Sequence, residues 1–310
     1  MINAAFIFPG QGAQYVGMGK EFYEGTSSSP QAKAVFDEAN QILANGFLDV
    51  VFSGPAEKLT TTAYCQPAIL TFSVAALRAF QSHPKFKNVQ VKFTAGLSLG
   101  EYSALAAGGA LSFADTLRLV ERRSFFMEEA AKIQPGKMAA IIGFDKDQLV
   151  SICQQTGAEV ANFNSPKQIV ITGHAAKVEE ACRLIKEAGA KTVIPLDVSG
   201  AFHSSLMRPA AKKFAEVLEN VNIAAPVIPV VSNVDGQPTP NPSNIRMKLA
   251  QQITSSVQWV DSVQYMASHG VTDFIEIGPG KVLSGLIKRI DPNLKSHNIE
   301  KPENIEALGF

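Results

Sequence analysis

The chain has 310 residues, of which 46% are hydrophobic and 18% are charged, as is typical of a globular protein. Its 28 basic and 28 acidic residues give a formal net charge of +0, which argues against nucleic acid or an anionic membrane as the main partner. No apolar run reaches the roughly 18 to 20 residues of a membrane span, and the first residues lack the positive charge of a signal peptide. We therefore expect a cytoplasmic protein.

The cysteines support this expectation. They are widely spaced and form no CxxC pair, so neither a disulfide framework nor a zinc site is predicted. A reducing compartment is the simplest interpretation of the three, Cys65, Cys153 and Cys182. No metal and no cofactor are predicted, and we expect a monomer.

The first part of the sequence alternates short strands with helices. A strand over residues 4–8 ends at a turn-forming loop, and an acidic and polar region follows. A helix runs through residues 68–80, and a second strand over residues 91–95 leads into a helix over residues 101–107. Alternation of this kind predicts a mostly parallel sheet with helices on both faces.

The pattern changes at about Gly136. The order βαββαβ follows, which is typical of a ferredoxin-like unit of about 60 residues. Its predicted elements cover residues 137–143, 145–156, 158–163, 168–172, 178–188 and 191–196. Short apolar strands at residues 228–232 and 273–277 then restore the earlier pattern. We predict an α/β fold in which an α/β-hydrolase-like large domain, residues 1–132 and 199–310, is interrupted by a small ferredoxin-like domain, residues 133–198.

The segment Gly96-Leu97-Ser98-Leu99-Gly100 has the pattern of a nucleophile elbow. A Gly-x-Ser-x-Gly between a strand and a helix sets the serine on a sharp turn, where a Cβ at either glycine would clash. The N-terminus of the following helix then faces any oxyanion that forms beside the serine. The alternative is a glycine-rich turn that happens to carry a serine.

Ser98 needs a general base, because a serine hydroxyl is a poor nucleophile at neutral pH. Of five histidines, His203 is favoured because the chain passes there from the small domain back to the large one, and clefts between domains often hold active sites. The other four are interpreted as solvated or capping residues: His83, His174, His269 and His297. Asp197 is a weak candidate for a third, acidic member, and a backbone carbonyl is sufficient to orient the imidazole.

Arg123 is a candidate for substrate binding. Ser112 and Asp115 predict the start of a helix over residues 112–132, on whose apolar half Arg123 is the only charged residue at about 100° per residue. A buried guanidinium needs a partner, and its planar fork suits a carboxylate. Two interpretations stay open: an ion pair with a core Asp or Glu, and a carboxylate on a substrate.

Four motifs occur together and in order along the chain. They are Phe8-Pro9-Gly10-Gln11-Gly12-Ala13-Gln14, Gly96-Leu97-Ser98-Leu99-Gly100-Glu101-Tyr102-Ser103-Ala104-Leu105, Ala201-Phe202-His203-Ser204 and Ile277-Gly278-Pro279-Gly280-Lys281. Together they closely resemble the malonyl-CoA:acyl carrier protein transacylase family, the acyl transferases of type II fatty acid synthesis. The resemblance covers residues 6–289, including the ferredoxin-like insertion.

The resemblance implies a role for each matching residue. Ser98 would be acylated, with His203 as its general base and acid, and Arg123 would bind the free carboxylate of the malonyl group. The backbone amides of Gln11 and Leu99 would form the oxyanion hole. Malonyl-CoA and acyl carrier protein would be the partners.

Three further positions follow from the resemblance. The backbone carbonyl of Gln258 would orient His203, and the ring of Phe202 would crowd an α-methyl branch, so methylmalonyl is disfavoured. Leu97 departs from the family, which usually has histidine there. Because that side chain is not a reacting group, we expect altered contacts near the thioester rather than lost activity.

Alternatives remain at this point. A serine hydrolase or thioesterase would have a similar elbow, and an acyl transferase of polyketide synthesis or of broader acyl range would share the motifs. A non-catalytic relative that binds carrier protein is a third possibility. Lys281, Lys288 and Arg289 form either a basic patch for an acidic carrier or a solvated face.

Overall fold

The computed structural model describes residues 1–25, 29–44 and 46–310. Their strands form two separate sheets, one of five strands and one of four. The strands are β1 Ile2–Phe8, β2 Val89–Gly96, β3 Gly136–Ile142, β4 Glu159–Ser165, β5 Gln168–His174, β6 Thr192–Pro195, β7 Val230–Val231, β8 Asp273–Ile277 and β9 Lys295–Ile299.

Helices connect most of these strands. The α-helices of the described residues are α1 Lys20–Glu24, α2 Pro30–Leu43, α3 Phe47–Ser53, α4 Ala56–Thr60, α5 Thr62–Ser82, α6 Gly100–Ala107, α7 Phe113–Ile133, α8 Lys146–Thr156, α9 Ala175–Glu187, α10 Arg208–Leu218, α11 Pro242–Gln252, α12 Trp259–Ser268, α13 Val282–Ile290 and α14 Pro302–Ala307. Two short 3-10 helices cover Pro84–Asn88 and Ser205–Met207.

The larger sheet is parallel throughout, in the order β7-β2-β1-β8-β9. Its central strand β1 is buried on both faces. Successive side chains of a strand point to opposite faces of the sheet, and each face of β1 packs against a different hydrophobic core. Phe6 and Phe8 pack into the core that contains α5 and α7, whereas Ala5 and Ile7 pack against the face covered by α12 and α13. The predicted α/β fold with a parallel sheet is confirmed.

The smaller sheet is antiparallel, in the order β4-β5-β3-β6. Together with α8 and α9 it follows the chain order βαββαβ that the sequence predicts. It has its own apolar core, which includes Ile141, Leu149, Ile171 and Ile185. The other face of this sheet, with Met138 and Val170, packs into the larger core that Phe6 and Phe8 enter.

The structure differs from the sequence prediction in several elements. The region called acidic and polar contains α1 to α4, although its residues 26–28 and 45 lie outside the described part of the chain. The predicted strand 228–232 is reduced to β7, with two residues. Strand β9 was not predicted because its sequence is polar and lacks the apolar pattern of the other strands. It forms the edge of the sheet, where it pairs with β8.

Candidate active site

The nucleophile elbow forms where β2 ends and α6 begins. Ser98 has a φ of 54°, a left-handed conformation that costs energy for a residue with a side chain. A Cβ on Gly96 would lie 2.0 Å from the carbonyl carbon of Gly100, and one on Gly100 would lie 2.0 Å from the Phe8 carbonyl oxygen. Both glycines are therefore required for β1, β2 and α6 to meet at this turn.

His203 lies beside the serine. Its Nε2 is 2.7 Å from Ser98 Oγ, and its Nδ1 is 2.9 Å from the Gln252 carbonyl oxygen and 3.1 Å from that of Ser255. Since carbonyl oxygens only accept hydrogen bonds, Nδ1 carries the hydrogen and Nε2 is free to accept the serine proton. His203 also has a positive φ, 57°.

The prediction that the Gln258 carbonyl orients His203 is wrong. Gln258 precedes α12, and its carbonyl accepts the amide hydrogen of Ser262 at 3.0 Å, as the first turn of a helix requires. Its own amide donates to Asn233 O at 2.8 Å. The orienting carbonyls are those of Gln252, the last residue of α11, and Ser255 in the turn that follows.

Arg123 points inward from the middle of α7, as predicted, and is 1% exposed. The helix begins at the predicted N-cap, where Ser112 Oγ accepts the Asp115 amide at 3.1 Å. The guanidinium donates to Gln66 Oε1 at 2.7 Å, to Gln252 Oε1 at 3.0 Å and to Ser98 Oγ at 3.1 Å.

All three acceptors of Arg123 are neutral. Within residues 1–25, 29–44 and 46–310, Arg123 forms no ion pair with a carboxylate, and its Nε has no hydrogen-bond partner. The core ion pair that the sequence left open is therefore not formed. A buried guanidinium in this condition can bind an anion such as a carboxylate.

Burial and charge set the protonation states. Burial, and secondarily the Arg123 cation, lower the pKa of His203 to about 4, so the imidazole is neutral at physiological pH, as a general base must be. Burial raises the pKa of the Glu101 carboxyl to about 7. Desolvation also lowers the pKa of Arg123, although guanidinium remains charged in proteins.

Ser98, Arg123 and His203 line a cleft of about 180 Å³ between the two sheets. Its other lining residues include Gln11, Leu97, Leu99 and Phe202. In the part of the chain that the structure describes, the backbone amides of Gln11 and Leu99 donate to no protein acceptor, whereas the Ser98 amide is bound by Asn233 Oδ1 at 2.6 Å. Two amide donors at the cleft are thus free for a ligand oxygen.

The small sheet holds the loops that carry and orient His203. Glu159, at the start of β4, accepts hydrogen bonds from the amide and the hydroxyl of Ser205 at 3.0 and 2.7 Å. Further along β4, the Ala161 carbonyl accepts the Val257 amide at 2.8 Å, and the Val257 carbonyl accepts the Phe163 amide at 2.9 Å. Strand β4 thereby anchors the chain on both sides of the imidazole.

Sequence reasoning missed four buried polar residues around the reacting groups: Gln66, Glu101, Asn233 and Gln252. One signal was available for Asn233. It follows the predicted strand 228–232, and ligand sites of parallel sheets lie beyond the carboxyl ends of their strands. Gln66 and Gln252 lie in helices whose local sequence gives no sign of the contact.

The remaining candidates lie elsewhere. Asp197 is exposed and makes no contact with His203 Nδ1. The basic residues Lys281, Lys288 and Arg289 are exposed at α13, where Arg289 donates to Gln168 Oε1 at 3.0 Å.

The described residues hold no cluster of metal-ligating side chains. No helix among them is long and apolar enough to cross a membrane.

Residues 5–301 match the model of the acyl transferase domain family. The malonyl CoA-acyl carrier protein transacylase of Bacillus subtilis (strain 168) is 48% identical over 311 residues, which cover 99% of this chain and 96% of that protein. The acyl-carrier-protein S-malonyltransferase of Bartonella henselae superposes with a TM-score of 0.93 at 41% identity, covering 99% of this chain and 98% of the other.

A malonyl-transacylase in complex with its type II PKS acyl-carrier protein also superposes with a TM-score of 0.93, at 38% identity and 98% coverage of both chains. These similarities extend over both sheets rather than over the elbow alone. The chain therefore belongs to the acyl transferase family, in the group of malonyl CoA-acyl carrier protein transacylases.

Proposed function

We propose that this chain transfers the malonyl group of malonyl-CoA to the phosphopantetheine thiol of an acyl carrier protein through a malonyl-Ser98 intermediate, and so supplies fatty acid synthesis. The observation that carries the proposal is the Ser98 hydroxyl, which lies between a neutral histidine and a buried guanidinium without a carboxylate. The names of the relatives support the same substrate and carrier.

In the first half-reaction, Ser98 Oγ attacks the thioester carbonyl carbon while its proton passes to His203 Nε2. The negative charge that develops on the carbonyl oxygen is stabilised by the Gln11 and Leu99 amides, each worth about 3 kcal/mol in comparable oxyanion holes. The carbon–sulfur bond then breaks, and the imidazolium returns its proton to the sulfur of CoA. A malonyl ester on Ser98 remains.

The second half-reaction reverses these roles. The phosphopantetheine thiol gives its proton to His203 and its sulfur attacks the ester carbonyl carbon. When the bond to Ser98 Oγ breaks, the imidazolium returns the proton to the serine. The imidazole can act in both directions because two backbone carbonyls hold its Nδ1–H in place.

Arg123 supplies the selectivity in this scheme. Its fork would pair with the free malonyl carboxylate, which satisfies a cation that neutral acceptors alone leave without countercharge. An acetyl group offers no such partner. The ring of Phe202 at the cleft limits space for an α-methyl branch, which disfavours methylmalonyl.

We also propose the finer fold assignment. The strand order β4-β5-β3-β6 and the chain order βαββαβ support a ferredoxin-like unit over residues 133–198. Residues 1–132 and 199–310 then form an α/β-hydrolase-like large domain around the parallel sheet.

The test is intact-mass analysis of the protein after mixing with malonyl-CoA, followed by addition of holo acyl carrier protein. We expect a gain of one malonyl group, mapped to Ser98 by peptide analysis, and its loss to the carrier. Release of free malonate at the same rate without carrier would instead indicate a hydrolase, and the absence of any adduct would refute the covalent mechanism.

A further inference from the structure

Glu101 is a buried carboxylate that the proposed chemistry does not use. It lies in the first turn of α6 and is 3% exposed. Its Oε2 accepts the Asn233 amide at 3.1 Å and Gln252 Nε2 at 2.6 Å. Among the described residues it forms no ion pair, so its role depends on these two neutral donors.

The Gln252 side chain connects Glu101 to the reacting groups. Its Nε2 also donates to the Ser98 carbonyl at 3.0 Å, and its Oε1 accepts Arg123 Nη2 at 3.0 Å. The two ends of a carboxamide are chemically different, since the nitrogen only donates and the oxygen only accepts. A carboxylate on one side and a guanidinium on the other are compatible with a single orientation of this amide.

We infer that Glu101 is a positioning residue for malonyl selectivity, which acts by fixing the orientation of the Gln252 amide that holds Arg123. Without an acceptor oxygen at position 101, the amide gains an alternative orientation that turns its NH₂ group toward the guanidinium. The fork of Arg123 then loses its acceptor at Gln252 and is no longer held against Ser98. The inference rests on the proposed function, because it assumes that Arg123 binds the carboxylate of a malonyl group.

Three variants test this link. Glu101→Leu removes the acceptor while keeping most of the volume, and Glu101→Asp keeps the charge but is shorter by one methylene. Glu101→Gln retains an oxygen that can accept from both Asn233 and Gln252. Initial rates of Ser98 acylation by malonyl-CoA and by acetyl-CoA are measured by quenched intact-mass analysis, and the readout is their ratio.

We expect the leucine variant to lower the malonyl-to-acetyl ratio by at least about tenfold, a coupling typical of residues in one hydrogen-bond network. The glutamine variant should stay within about threefold of wild type. Should the leucine variant fail to fold, the aspartate variant gives the same test, because its carboxyl group is withdrawn from Gln252 by one methylene. In a Gln252→Leu background, the change at position 101 should have less than about threefold effect, because its route to Arg123 is already removed.

Glu276 provides the matched control. It is another fully buried carboxylate, which accepts the amides of Leu283 and Ser284 at 3.0 and 2.8 Å, so Glu276→Leu should lower stability and leave the ratio unchanged. An unchanged ratio in the folded leucine or aspartate variant overturns the inference, as does an equal loss in the Gln252→Leu background. A wild-type protein that acquires no malonyl group overturns the proposed function itself, which separates the two failures.

Discussion

Replacement of Arg123 by methionine should invert acyl selectivity. The change keeps most of the buried volume and removes a cation that is 1% exposed and has only neutral acceptors. Loss of one partner of a buried ion pair costs about 3 to 5 kcal/mol, which corresponds to a factor of about 10² to 4 × 10³ at ~1.4 kcal/mol per factor of ten. We expect malonyl transfer to fall by that factor.

Acetyl transfer should hold steady or rise in the same variant. An acetyl group gives Arg123 no countercharge, so the cation contributes nothing favourable to its binding. The guanidinium also donates to Ser98 Oγ at 3.1 Å, and removing this bond frees a lone pair on the attacking oxygen. The two substrates should therefore respond in opposite directions.

The assay compares acylation rates with malonyl-CoA and acetyl-CoA by quenched intact-mass analysis. Arg122→Met is the matched control, because Arg122 is the neighbouring residue on α7 and is exposed; both of its rates should stay near wild type. Equal losses for both substrates in folded Arg123→Met would refute the reasoning, since Arg123 would then support the site without binding the carboxylate.

Three further outcomes are expected. Ser98→Ala should show no malonyl adduct by intact mass, and a stable adduct on that variant would remove Ser98 as the nucleophile. The pKa of His203 is lowered to about 4 and only the neutral imidazole accepts a proton, so kcat/KM should stay constant above about pH 4 and fall below it. A fall of kcat/KM centred near the ordinary histidine pKa of about 6.5 would contradict the assignment. Because the Arg123 cation contributes to the lowered pKa, Arg123→Met should move this fall to higher pH. Gly100→Ala should lower the free energy of unfolding by more than about 2 kcal/mol in chemical denaturation, because the new Cβ would meet Phe8 O at 2.0 Å; Gly285→Ala, with open space around it, should be neutral or stabilising.

Local patterns predicted the parts of the site that are encoded locally. The elbow depends on two glycines within five residues, and the inward direction of Arg123 depends on helical spacing after the Ser112 cap. Both signals lie within one turn or one helix. His203 was identified because it lies where the sequence pattern of the small domain ends and that of the large domain resumes.

The contacts that orient the histidine could not be predicted in this way. Gln252 and Ser255 lie 49 and 52 residues from His203, and their approach depends on the turn after α11 and its pairing with β4. The family resemblance supplied Gln258 instead, six residues too late. The short helices α1, α3 and α4 were missed for a related reason, since helices of five to seven residues are stabilised by tertiary packing rather than by their own sequence.

The anchoring of both histidine loops to β4 has a consequence for protein engineering. A chimera that exchanges the small sheet for that of another acyl transferase changes the strand against which the base is aligned. Glu159, Ala161 and Phe163 must then be transplanted together with their hydrogen-bond partners Ser205 and Val257. A graft that exchanges the small sheet alone would retain Ser98 and lose the contacts that align His203 with it.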